Sequence, residues 1–172
     1  MHALEVLADA LTYPAPGRLE ALTRAAVRLP KGPVRRGLER FLARIETLSL
    51  AGWEECFTRT LDLTPIVVPY VGYVIYGESY QRGAFMAALK RAMEAAGVEL
   101  EGELPDHLVP VLRYLAVAQH PLPDLVEVLP RAVQQMERTL ATLDPTNPYR
   151  PLLEAVRHAV ASLEAVKQGG ER

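Results

Sequence analysis

Five apolar stripes, each repeating at three- and four-residue intervals and each cut off by proline or glycine, constrain this chain more than any other feature. Val34, Leu38, Phe41, Leu42, Ile45 and Leu48 form the first; Phe85, Leu89, Met93 and Ala96 the second; Leu108, Val111, Leu112 and Leu115 the third. Leu125, Leu129, Val133, Met136, Leu140 and Leu143 make the fourth, and Leu152, Val156, Val160 and Leu163 the last. That period puts each set on one helix face, and such faces are buried against one another. Pro14, Pro16, Pro30, Pro65, Pro69, Pro121, Pro145 and Pro148 fall between stripes. Pro33 suits a first helical turn, Gly97 suits the position after a helix over 79–96, and Pro130 predicts a kink or a restart. Val71 to Tyr76 comes nearest to a strand, but the prolines before it favour an irregular or short helical segment. The expectation is an all-α fold, a single-domain bundle over residues 1–172 with about seven or eight helices.

A chain of 172 residues, 49% hydrophobic, is long enough to bury a core without covalent staples. Its one cysteine, Cys56, excludes an internal disulfide framework, fits a reducing compartment, and reads as a small buried hydrophobe rather than a nucleophile. The N-terminal MHALEVLADALTYPAP lacks a basic region followed by a long apolar one, so no secretion signal is expected. The least polar tract, Pro65 to Gly77, is shorter than the roughly 20 residues a membrane helix needs. A cytoplasmic protein without stable membrane insertion is expected. The four histidines show no ligand spacing, so no metal site is expected, and no nucleotide loop or nucleophile elbow is present. These absences argue against an enzyme. The single asparagine, Asn147, among helices rich in Ala, Leu, Arg and Glu suits a heat-adapted protein.

Charge is unevenly placed. Arg18 to Arg44 holds eight basic and two acidic residues, whereas Glu94 to Asp106 holds five acidic residues and no basic one. Solvated helix faces explain such runs; so does an acidic end that attracts a basic partner. No nucleic-acid motif or aromatic interleaving accompanies the basic run, so no nucleic-acid partner is expected.

Residues 53–116 hold the candidate site. Trp53, Cys56 and Phe57 share one helix face, which is either core or the wall of a groove for a partner's apolar segment. Asp62 ends that helix, where its charge opposes the dipole and calls for an arginine, internal such as Arg82 or from outside. Tyr70, Tyr73, Tyr76 and Tyr80 follow, each a ring with a polar tip suited to an interface. Ser79 is a candidate N-cap for the helix carrying Arg82, with Glu78 at its positive end. In ELPDH, Asp106 is expected to cap a helix over 107–117, leaving Glu103, Pro105 and His107 without a capping role. His107 is expected to titrate near neutrality and donate to a partner's carboxylate or carbonyl.

These motifs, in this order and spacing, resemble the respiratory nitrate reductase delta-subunit (NarJ-like) chaperones, within the TorD/DmsD group of molybdoenzyme maturation chaperones. Trp53, Cys56 and Phe57 match that family's aromatic-x-x-Leu-Phe segment, and Thr60, Leu61, Asp62, Thr64 and Pro65 its Thr-Phe-Asp-x-Ser-Pro. Tyr70, Gly77, Glu78, Arg82 and Gly83 hold the register of a Leu-Tyr-Leu tract leading into Gly-Asp-x-Arg-x-Arg-Gly. Glu103, Pro105, Asp106 and His107 match Glu-x-Pro-Asp-His/Tyr in full, and NPYRPLLEAV further on is compatible but less specific. The chain departs from the pattern at Leu61, Pro69, Glu78 and Tyr80, which leaves the chaperone class intact and the client unspecified.

The resemblance implies an all-helical, non-enzymatic chaperone with no cofactor of its own. It would bind the N-terminal or leader segment of a molybdoenzyme catalytic subunit, hold it while the molybdopterin cofactor is inserted, and delay export where a twin-arginine signal exists. It also implies the option of a homodimer by helix exchange, with a hinge in Pro65 to Gly77. The residues expected to face the client peptide are Trp53, Phe57, Asp62, Tyr70, Tyr76, Glu78, Arg82, Glu103, Pro105, Asp106 and His107. The competing reading is a helical adaptor or regulator that binds an unrelated partner helix in the same groove.

Overall fold

A computed structural model describes the backbone of residues 2–169 and the side chains through Leu163. The architecture is all-α, with nine helices among the described residues: α1 (Ala3–Ala10), α2 (Arg18–Arg28), α3 (Pro33–Ile45), α4 (Leu50–Leu61), α5 (Val71–Tyr76), α6 (Tyr80–Ala95), α7 (Leu108–Val117), α8 (Pro123–Leu143) and α9 (Tyr149–Gly169). The extra count over the sequence expectation comes from the short α5. The stripes become one core: α9 packs on α3 and α8, α1 on α7, and α5 on α8. None of these helices is long and apolar enough to cross a membrane.

Local chemistry sets most boundaries. Pro33 opens α3, where its missing N–H costs no hydrogen bond. Ser49 and Ser79 cap α4 and α6 by accepting from the N–H groups of Gly52 (3.1 Å) and Arg82 (3.3 Å). At the end of α6, Gly97 takes φ +72°, its N–H donates to Glu94 O, and Val98 N–H donates to Met93 O. That pair of bonds is a Schellman motif, and it closes the helix.

The first stripe overruns its helix, and the fourth reaches the last residue of its own. α3 stops at Ile45, leaving Leu48 partly exposed ahead of the Ser49 cap, and Leu143 ends α8 exposed. Pro130 does not restart α8. The helix continues through it, because Leu125, Leu129, Val133 and Met136 are buried on both sides of the lost bond.

Gly37 decides how closely α3 and α9 approach. A Cβ there would lie 2.7 Å from the Pro151 carbonyl oxygen and 2.8 Å from Ala155 Cβ. Gly37→Ala is therefore expected to destabilise by about 1–2 kcal/mol, overpacking outweighing the alanine's helix propensity. Gly83 in α6 has nothing within 4 Å of the same position. Gly83→Ala should instead stabilise, by up to about 1 kcal/mol, and a pair of urea unfolding curves would check the opposite signs.

Candidate functional site

The ELPDH turn and the tyrosine-rich tract are joined by backbone before any side chain acts. Val71 N–H donates to Asp106 O and Leu108 N–H to Pro69 O, both at 2.8 Å, making an antiparallel bridge between Tyr70 and His107. The segment expected to be a hinge is thus fastened at its midpoint.

Beneath this bridge lies an ion pair. Arg82 Nε donates to Asp106 Oδ2 at 3.0 Å and a terminal guanidinium nitrogen to Oδ1 at 3.3 Å, a two-pronged match of planar groups. Asp106 is 0% exposed and Arg82 17%. The guanidinium also stands over the Tyr70 and Tyr73 rings, 5.7 and 5.5 Å from their centroids. Gly72 makes room, since a Cβ there would be 2.7 Å from Asp106 Oδ2.

This arrangement corrects two sequence expectations. Asp106 is not the cap of α7; His107 is, with its Nδ1 accepting from Val109 N–H at 3.1 Å. The carboxylate turns inward because Arg82 offers a charged fork where a cap offers one backbone N–H. Asp62 does not pair with Arg82, whose fork Asp106 already fills. It lies exposed just past α4, without an ion-pair partner among the described residues.

In front of the bridge a cleft of about 400 Å³ opens between α1, α4, α7 and the 99–103 loop. Tyr13, Phe57 and Tyr70 give it aromatic walls, with Leu11, Leu61 and Val109 between them. Tyr13 meets Phe57 edge-on, with ring centroids 5.4 Å apart. Asp62, Glu99, Glu101 and Glu103 line the same cleft against one guanidinium, that of Arg113. Glu101 and Arg113 pair at 2.8 Å, and Arg113 reaches Asp9 at 3.5 Å.

Glu103 is held in place by two donors, the Tyr70 hydroxyl at 2.9 Å and Leu104 N–H at 3.0 Å. Burial and that bond push the Tyr70 phenol up to about 12, so the hydroxyl remains a donor. Burial also lowers the His107 pKa, against the pull of the Glu103, Asp106 and Asp62 carboxylates. Burial thus favours the neutral imidazole whose Nδ1 caps α7, and its second nitrogen lies 3.9 Å from Glu103. Burial raises the Cys56 thiol, which leaves it a packing residue.

Of the residues expected at the site, Phe57, Asp62, Tyr70, Glu103 and His107 line the cleft. The others stand elsewhere. Trp53 is 4% exposed and its indole N–H donates to the Tyr149 hydroxyl at 2.9 Å inside the core. Tyr76 packs on Phe85, Glu78 is exposed ahead of α6, Pro105 is buried, and Arg82 and Asp106 hold the wall from behind. Among the departures from the family pattern, Leu61 and Pro69 are buried while Tyr80 is 99% exposed.

Tyr13 and Arg113 escaped the sequence reading, and Glu99 and Glu101 entered it only within the acidic run from Glu94 to Asp106. Arg113 had a signal, being the only charged residue on the apolar helix LVPVLRYLAV. Asn147, read only as compositional, is a buried joint: its amide donates to Thr60 Oγ1 at 2.8 Å and Asp144 at 3.1 Å, and its Oδ1 accepts from Tyr149 N–H. It ties the end of α4 to the α8–α9 turn, and so fixes the base of the aromatic wall.

Comparison with known families gives this geometry a context. The model of the family described as "Nitrate reductase delta subunit" matches residues 30–153. No curated protein matches the chain. The match spans most of the chain, and the protein belongs to the nitrate reductase delta subunit family, whose members are molybdoenzyme assembly chaperones and not catalysts.

Proposed function

We propose that this chaperone holds the N-terminal segment of a molybdoenzyme catalytic subunit, most simply a nitrate reductase, in the cleft between α1, α4 and α7. It acts in the cytoplasm and keeps the client open for insertion of the molybdopterin cofactor. Where a client carries a twin-arginine signal, the same occupancy delays export. One observation carries this reading: aromatic walls at Tyr13, Phe57 and Tyr70 share a cleft with the carboxylates of Asp62 and Glu99, which have no ion-pair partner among the described residues. A segment that is apolar on one side and basic on the other satisfies both halves at once.

Micromolar affinity, about −8 kcal/mol, suits a chaperone that must release its client. Exposed ion pairs supply at most about 1 kcal/mol each, so burial of the client's apolar face against the aromatic walls provides most of that energy. The carboxylates set register and association rate.

Calorimetric titration with a peptide from the client's N-terminus tests the division. Phe57→Ala is expected to weaken binding more than about tenfold, the loss of a contact aromatic. Asp62→Asn with Glu99→Gln is expected to weaken it by a few-fold at low salt and to flatten its salt dependence. Undiminished binding by all of these variants, folded as judged by circular dichroism, would place the peptide elsewhere.

A further inference from the structure

Arg113 divides two neighbouring clefts. Besides the aromatic one, a second of about 440 Å³ opens between α1, α7 and the 97–101 loop, and Glu99, Glu101 and Arg113 line both. Together the two present Glu5, Asp9, Asp62, Glu99, Glu101 and Glu103 against that single guanidinium. Arg113 is 29% exposed, and its partner carboxylates Asp9 and Glu101 are more open still, at 48% and 65%. It is therefore a cation of the chain's own, lying in the surroundings that suit a cation from outside.

Resting on the peptide-binding reading above, we propose that Arg113 is a placeholder that occupies the cleft's cation position until a cationic side chain of the client takes it over. An arginine or lysine of the client takes over Glu101 and Asp9, and Arg113 moves out of the way. The exchange replaces one exposed ion pair by another, and such a pair shifts an equilibrium by only about fivefold at most. Register comes without a large gain in affinity, so the client can still leave. A neutral side chain cannot displace Arg113, and the two clefts then remain divided.

The test compares wild type, Arg113→Gln and Arg113→Lys with two peptides: the client N-terminal segment and its version with every basic residue replaced by glutamine. In Arg113→Gln the cationic peptide is expected to bind up to about fivefold more tightly than in wild type, with a steeper salt dependence. The glutamine peptide should be unaffected, and Arg113→Lys should keep the wild-type pattern. A role confined to strapping α7 to the 98–104 loop would change both peptides alike. Weaker binding of the cationic peptide to Arg113→Gln would make Arg113 a direct client contact and overturn the placeholder role while leaving the cleft reading intact. Equal binding would also overturn it. If neither peptide binds wild type or variant, the cleft reading and the placeholder role fall together.

Discussion

Replacing Asp106 with alanine is expected to lower the unfolding free energy by about 3 kcal/mol or more, at the scale of breaking a buried ion pair by removing one member. The carboxylate is fully buried, and its loss strands the Arg82 guanidinium, 17% exposed, beneath the Tyr70 and Tyr73 rings. The measurement is a urea unfolding curve whose midpoint falls with little change in slope. Adding Arg82→Ala should cost little more, because both substitutions remove the same pair. A midpoint within error of wild type would show that the pair contributes nothing to stability. Any fall in peptide affinity in this variant reports a loosened wall, since the bridge positions Tyr70 and His107 through Asp106 O and Pro69 O. Asp62 and Glu99 are the carboxylates to change when binding itself is the question.

Trp53→Ala is expected to be as damaging, at about 3–5 kcal/mol, the usual range for deleting a buried indole and leaving its cavity. For a chain of this length that is a fall in Tm of about 6–20 °C. The indole is 4% exposed, and its N–H donates to a Tyr149 hydroxyl whose ring packs on Phe41 and Phe57. The substitution leaves the core without a large ring and the hydroxyl without its donor. Differential scanning calorimetry on Trp53→Ala beside Phe57→Ala should separate two neighbours on one helix. The first should lose mainly stability and the second mainly peptide affinity. A Trp53→Ala protein that melts like wild type and loses binding would return that residue to the cleft.

Much of the fold was legible because its signals are local. Apolar residues recurring at 3.6 predicted helices where the chain has them, Pro33 and Ser79 marked starts, and Gly97 marked an end. The motifs on residues 53–116 led to the family for a related reason, since order and spacing along the chain are themselves sequence properties. What misled was the direction of single side chains. Asp106 beside a helix start looks like a cap in one dimension; only folding brings Arg82, twenty-four positions earlier, within 3.0 Å of it. Trp53 and Phe57 lie on the same face of α4 and both meet Tyr149 of α9, but Trp53 is sealed in the core while Phe57 reaches the cleft beside Tyr13.

The sequence by itself therefore determined an all-helical chain, the punctuation of its helices and membership of a chaperone family, because periodicity, capping and motif order act between near neighbours. The tertiary structure alone decided which motif residues face a ligand and which hold the wall. The Arg82 fork turned Asp106 inward, and the meeting of α1, α4, α7 and the 99–103 loop set Tyr13, Phe57, Asp62, Glu99 and Arg113 around one cleft. Those contacts join residues far apart in the chain. Burial and unlike charge choose among such pairings only after the helices have packed.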